Sequence, residues 1–432
     1  MRIDPRAILA IAASLALGLT SAGPAAAQSA QYTAAGPGTA AEPLDKEALE
    51  ARMAEARWRL GPVRLAPYLG LRGLSWVQNV FADEGDDTSD LTANVGAGLT
   101  AYLPTGPRLF WVAQAMPEYV FWADLEERRQ MVGRYGTAVH GDLNRLTFAL
   151  EGRTLEEQTE VTSEAPEPAI GEIDHLGAAL ALRLTPRLSL AAGAAVDEIA
   201  NRAGDPDDPR SADFFRLDRR EESARAGLRY ASGDRLHLEA GVERLETDFE
   251  GAARDLSSTG TSPYASFALT GNEIRVAVEV VRRSLEPEPG SALPPTEATI
   301  GALRVGFTPG WRFDIGLYGR RSLLYSLSDD HSHFEEDRYG VEVAAPFGDR
   351  WTTRAFVEAG GNEYVALAPG DPARSDDALA YGLEGALEIR EWLTYRFGYR
   401  RLEIDSNLPG LDRETESLLS TVSLTTGSWI WQ

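Results

Sequence analysis

Charged side chains recur at every second position along much of this chain, with apolar residues between them. In residues 392–404, Arg396 and Arg400 alternate with Leu393, Tyr395, Phe397 and Tyr399. In 273–283, Arg275 and Glu279 alternate with Ile274, Val276, Val278 and Val280. In 235–243, Glu239 and Glu243 alternate with Leu236, Leu238, Ala240 and Val242. The same parity elsewhere yields a basic set: Arg72, Arg134, Arg153, Arg183, Arg229, Arg275, Arg304, Arg320, Arg354, Arg396 and Arg400. It also yields an acidic set: Glu118, Glu151, Glu239, Glu243, Glu279, Asp314, Glu342, Glu358, Glu384 and Glu388. Guanidinium and carboxylate rows around water orient polar solutes and set selectivity, which makes these residues candidate pore-lining groups. The alternative is an interior filled by ion pairs, with no conductance.

Other chemistry is sparse. Asp329-Asp330-His331-Ser332-His333 gathers two imidazoles and two carboxylates, but adjacent positions are not a spaced ligand set. An acidic surface loop is the simpler reading, with a rim-located enzyme behind it. Acidic runs at Asp83 to Asp87, Asp205 to Asp208 and Glu335 to Asp337 suit either solvation or divalent cations bridging to lipopolysaccharide. Phosphate-cradling glycine loops, zinc spacings and nucleophile elbows are absent from the sequence. The expectation is therefore no catalytic residue, no metal, no cofactor and no enzyme.

A period of two demands strands, since a helix repeats near 3.6. Residues 176–196 show the unit: Ala178, Leu180, Leu182 and Leu184 on one face, a turn at Pro186-Arg187, then Leu188, Leu190, Ala192, Ala194 and Val196 returning on the same face. Eight tight turns near residues 106, 141, 186, 233, 271, 309, 348 and 391 alternate with nine longer loops. The loops fall near 80–90, 123–131, 158–171, 200–213, 249–261, 286–296, 327–334, 365–376 and 405–413. Eight turns and nine loops separate eighteen strands between residues 64 and 427. Short turns on one side and long loops on the other describe an all-β, transmembrane, antiparallel up-and-down barrel, with both termini in the periplasm. A soluble sandwich or propeller is the structural rival. Aromatics near strand ends (Trp111, Tyr119, Phe121 and Trp122; Trp311 and Phe313; Trp351; Trp392) suit interfacial girdles. No loop is long enough to serve as an infolded constriction, so another element must narrow the pore or it is wide.

The N-terminus supports export. Arg2 and Arg6 precede the apolar residues 7–20, and Ala25-Ala26-Ala27 offers a cleavage site, so residues 1–27 read as a signal peptide. Residues 28–44 read as a flexible linker and 45–60 as a short amphipathic helix, with Leu49, Met53, Ala56 and Leu60 on one face. That helix is either a plug in the lumen or a periplasmic segment for a partner. The barrel spans 61–432. The chain carries 42 Lys and Arg against 66 Asp and Glu, a net charge of −24, and no Cys. Such a surface repels nucleic acid, and disulfides are excluded. Trp429-Ile430-Trp431-Gln432 closes the chain on aromatics, as barrels do when they engage the insertion machinery.

Pro67-Tyr68, Asn79-Val80-Phe81 and Leu91-Thr92-Ala93, with residues 106–119 and Asn144-Arg145-Leu146, resemble the β-barrel porin 2 group of outer-membrane proteins. The resemblance covers roughly residues 60–432 and implies a barrel in the bacterial outer membrane, embedded in lipid and lipopolysaccharide, with a role in transport or export. It supplies no catalytic residue. Three functions follow: a passive or selective solute channel; an export conduit for a surface polysaccharide with a periplasmic partner; and a rim enzyme.

Overall fold

A computed structural model describes residues 46–56, 58–78, 88–162, 164–202, 215–233, 235–249, 255–310, 313–348, 350–390 and 392–425. The signal peptide and linker expected over 1–44, Trp311, and the terminal Trp429 and Trp431 lie outside the described residues. The order is a helix, α1 (Lys46–Glu55), a three-residue strand, β1 (Trp58–Leu60), and eighteen long strands. The first nine of these are β2 (Val63–Gln78), β3 (Asp90–Pro104), β4 (Leu109–Trp122), β5 (Gln130–Asp142), β6 (Leu146–Thr162), β7 (Ala165–Arg183), β8 (Leu188–Arg202), β9 (Arg219–Ser232) and β10 (Leu236–Phe249). The rest are β11 (Ser258–Thr270), β12 (Ile274–Pro287), β13 (Thr296–Phe307), β14 (Asp314–Tyr325), β15 (His331–Phe347), β16 (Trp351–Ala366), β17 (Ser375–Arg390), β18 (Leu393–Ser406) and β19 (Arg413–Thr425).

Each long strand pairs antiparallel with the next, and β19 pairs with β2 through Leu424↔Leu69 and Leu418↔Trp76, so the sheet closes as an eighteen-stranded barrel. Closure is what membrane burial demands, because no peptide group is left without a partner in lipid. No described helix is long and apolar enough to cross a membrane, so crossing falls to the strands.

Residues paired across a ladder share a face. Following the registers round the barrel separates two faces cleanly. Tyr102, Val112, Val120 and Trp122 are buried and lie on one face; Leu69, Val95, Leu150, Leu176, Leu228 and Val242 are exposed and lie on the other. The exposed apolar face is the one that meets lipid. On β7 it runs through Leu176, Ala178, Leu180 and Leu182; on β10 it runs through Leu236, Leu238, Ala240 and Val242. Beyond these the outward positions turn charged and ion-paired, as in Arg220–Glu222, Arg282–Glu297 and Arg321–Asp337. Four or five outward apolar residues on a strand tilted about 40° give a band about 20 Å high, close to the apolar girdle of outer-membrane barrels.

Three expectations need correction. The helix ends at Glu55, and Leu60 belongs to β1, exposed beside β2. Gly61, at φ +60°, and Pro62 make the two-residue turn that returns the chain as β2, which a continuing helix could not do. Trp122 is buried on the inner face rather than in an outer girdle, whereas Trp111, Tyr119 and Phe121 face outward. Residues 158–171 are not a loop. β6 and β7 remain paired through Gln158↔Ile170 and Glu160↔Pro168 to Thr162↔Ala165.

α1 docks against the inner wall at the short-turn end. Leu49, Met53 and Ala56 pack with Ala66, Tyr102, Phe110 and Val112, and Arg64 Nη1 donates to the Met53 carbonyl at 3.0 Å.

The two faces make a testable contrast. Leu180→Arg places a charge near the middle of the apolar band and is expected to destabilise the barrel by about 2–4 kcal/mol. Leu182→Arg, one outward position nearer the turn, should be milder, and Arg183→Leu on the inner face milder still. Urea titration of folding into lipid vesicles ranks the three; equal losses would overturn the assignment of faces.

Candidate functional site

The inner wall gathers the charges. By register, Glu118, Arg134, Glu151, Arg153, Arg183, Arg229, Glu239, Glu243, Arg275, Glu279, Arg304, Asp314, Arg320, Glu342, Arg354, Glu358, Glu384, Glu388, Arg396 and Arg400 all hold inward positions. Arg72 pairs with Asn94, which puts its backbone position on the same face; its side chain is not described.

Many of these charges are drawn into pairs. Arg304 and Arg354 converge on Glu342, and Arg354 reaches on to Glu384 at 3.2 Å, so one network crosses β13 to β17. Arg320 binds Glu336, which also meets Arg338, and Arg338 donates to Asn362. Arg229 pairs with Glu239, whose other oxygen accepts from the Tyr264 hydroxyl. Glu243 pairs with Arg283 at 2.7 Å, Arg134 with Glu157, and Arg275 with Asp314. His175 sits between two carboxylates, Asp197 at Nδ1 (2.6 Å) and Glu151 at Nε2 (3.1 Å). The side chains of Arg153, Arg183, Glu279 and Glu388 make no ion pair or hydrogen bond with the described residues.

The sequence reading missed Arg225, Arg283, Glu336 and Arg338 as inward residues, although the parity of the alternation puts them on the same face. Parity says nothing of which charge meets which.

The β6–β7 hairpin changes the shape of the lumen. β6 keeps its pairing with β5 only as far as Glu156↔Gly133, and β7 keeps its pairing with β8 as far as Ile170↔Arg202; beyond these points the hairpin is paired with itself. Ile170 belongs to the outward set of β7, yet it packs against Val120, Trp122 and Val132 on the inner wall. The hairpin has therefore folded inward. Its tip residue, Glu164, is 3% exposed and meets Arg374 at 2.9 Å. Ser326 Oγ donates to Glu164 Oε1 and the Leu327 amide to Oε2. These partners lie at the ends of β14 to β17, about halfway round the barrel. Burial pushes the Glu164 carboxyl above the usual carboxylate range, while Arg374, the Leu327 amide and Ser326 pull it back.

The receiving wall is preorganised. Arg374 also binds Asp376 at 2.8 Å and lies 4.1 Å over the Tyr364 ring, and Tyr364 donates to Asp376. His331 and His333 belong here, buried at the start of β15 rather than in an exposed loop. His331 contacts Ser328 Oγ and the Pro372 carbonyl through its two ring nitrogens, and Ser332 lies against His333. Asp329 and Asp330 do stand at the surface. Glu335, Glu336 and Asp337 are strand residues; Glu336 points inward.

A buried pair is costly to halve, because the remaining charge is left without a partner. Arg354→Met leaves Glu384 without its ion-pair partner and Glu342 with Arg304 alone, and is expected to lower stability by about 3 kcal/mol. Arg183→Met should lower it by less than about 1 kcal/mol, the scale of a surface charge. Equilibrium unfolding in urea compares them; equal losses would show that the network contributes nothing beyond an exposed charge.

No family model matches the chain, and no curated protein matches its sequence. Solved structures do match its fold. OpdK of Pseudomonas aeruginosa, solved with vanillate, superposes with a TM-score of 0.51 at 11% identity over 84% of this chain and 98% of its own. A BenF-like porin from Pseudomonas fluorescens Pf-5 gives 0.52 at 11% identity over 85% and 99%. OccAB3 of Acinetobacter baumannii gives 0.50 at 12% identity over 84% and 98%. At these identities the likeness is one of architecture: this chain has the fold of the outer-membrane β-barrel porins.

Proposed function

We propose that this protein is a bacterial outer-membrane channel for small polar solutes, narrowed by the β6–β7 hairpin and lined by the Arg and Glu rows. The observation that supports it most is the infolded hairpin. Eighteen strands enclose a backbone cylinder roughly 35 Å across, and one two-stranded hairpin about 10 Å wide narrows such a space without filling it. What remains is walled by charges on both sides, and an unfilled polar lumen fills with water. In this reading the short turns face the periplasm and the loops face outward. The resemblance to the β-barrel porin 2 group belongs to the same reading.

The hairpin also weighs against the export of a polymer, which would have to displace an element tied down by Glu164. The rim-enzyme reading loses its one motif, since His331 and His333 are buried in the wall and engaged. Vanillate, the solute in the OpdK structure, is a reasonable first compound to test here.

Single-channel recording in planar bilayers tests the proposal. The refolded protein should give discrete conductance steps. Arg374→Met removes the ion pair at the hairpin tip and should raise the step size and the open-state noise. Liposome swelling with vanillate and uncharged sugars then ranks solutes. Silence from both the unchanged chain and Arg374→Met would sink the channel reading.

A further inference from the structure

The outer wall is not uniform where it meets lipid. On β6 to β10 one outward row of the ladder runs through Leu150↔Ala178, Ala178↔Ala194, Ala194↔Ala224 and Ala224↔Arg244. The next outward row toward the loops runs through Leu176↔Val196, Val196↔Glu222 and Glu222↔Glu246. These two rows border a groove of about 580 Å³ in the wall, floored by Ala178, Ala194 and Ala224 and edged by Leu150, Leu176 and Val196. Leu150 and Leu176 stand well clear of the floor, 53% and 68% exposed.

The groove ends on charge. Arg244, Glu222 and Glu246 line its loop-side rim. The Arg244 side chain is 67% exposed and reaches Glu246 only at 3.7 Å, too far for a hydrogen bond. Neighbouring Arg220 is engaged, with Glu222 at 2.8 Å. The rim thus offers one guanidinium with open N–H groups, whose fork suits a phosphate. Glu222 and Glu246 are directly opposed across the ladder. Like charges so placed repel, and a cation beside both relieves the repulsion.

We infer that this groove binds one zwitterionic phospholipid with a phosphoethanolamine headgroup. Its phosphate meets Arg244, its ammonium meets Glu222 and Glu246, and an acyl chain lies along the three alanines. Every bilayer lipid offers an acyl chain, so apolar contact does not select among them. The chain fills a hollow whose lining would otherwise lose dispersion contacts. Selection falls to the rim, which presents both signs within a short span. Arg244 and Glu246 are successive outward residues of β10, about 7 Å apart along the strand. A lipid carrying phosphate alone brings a second negative charge to Glu222 and Glu246, whereas a zwitterion brings a partner to each group. The inference rests on the lipid-facing assignment of this wall and not on the channel reading.

Native mass spectrometry of the full chain, refolded in non-ionic detergent, counts the lipids it retains. EDTA is present throughout, so that no divalent cation bridges lipid to the carboxylates. The probes are phosphatidylethanolamine and phosphatidylglycerol with identical acyl chains. One equivalent of phosphatidylethanolamine should be held, about tenfold more tightly than phosphatidylglycerol. Arg244→Gln removes the phosphate partner and should weaken retention by about tenfold. Ala194→Leu leaves the rim intact and fills the groove, and should weaken retention as well. Glu222→Gln combined with Glu246→Gln should erase the preference between headgroups. All four positions are outward, and heat-dependent gel mobility checks that each barrel has folded. Equal retention of the two lipids by the unchanged chain, or a preference that survives both Arg244→Gln and Ala194→Leu, would overturn the site. A mass of two chains in place of chain plus lipid would overturn it too, by giving the groove to a second copy. None of these readouts involves conductance.

Discussion

Closure of the backbone ladder is the constraint on which the rest of this structure depends. Peptide groups buried in lipid without partners cost several kcal/mol each, and a sheet escapes that only by having no edge. The β19–β2 pairing removes the last edge. Once the ladder is closed, alternation sorts every strand into a face for lipid and a face for the interior. Leu180 and Arg183 can be near neighbours in the chain because they never meet the same solvent.

Inside that cylinder, charge is organised rather than scattered. Arg304, Glu342, Arg354 and Glu384 form a network across five strands, and each member would be expensive to bury alone. Such networks add little stability relative to apolar packing, but they favour one arrangement of the wall. The same logic holds the hairpin. Its two strands stay paired as they leave the wall, so the element crossing the lumen is stiffer than an open loop of equal length. At its tip a single buried carboxylate meets a buried guanidinium, a buried hydroxyl and a backbone amide. That geometry fixes where the hairpin ends, and with it the shape of the opening.

The short-turn end is built differently. The inner positions there are apolar, with Ala66, Tyr102, Phe110 and Val112 forming a patch on β2 to β4. A ten-residue helix is marginal in water, so α1 exists as a helix because that patch receives Leu49, Met53 and Ala56. The two ends of the lumen are thus occupied on different terms, by ion pairing at the loop end and by apolar contact at the turn end.

The sequence by itself determined the eighteen strands, their order and the inward face of the charged rows, because a period of two is local and survives reading one segment at a time. The parity that places Glu118 inside also places Trp122 there, although a tryptophan at a strand end reads as an interfacial aromatic until the register is known. Residues 158–171 were opaque for a physical reason. The apolar half of the alternation is missing there, and Pro166, Pro168 and several acidic residues read as loop, although the backbone stays paired as a hairpin. β1 was equally hidden, since three residues carry no periodicity. Only the tertiary structure decided which charges meet. Glu164 and Arg374 are 210 residues apart, and nothing local in either neighbourhood marks the other as its partner; closure of the barrel and the inward fold of the hairpin bring them to 2.9 Å.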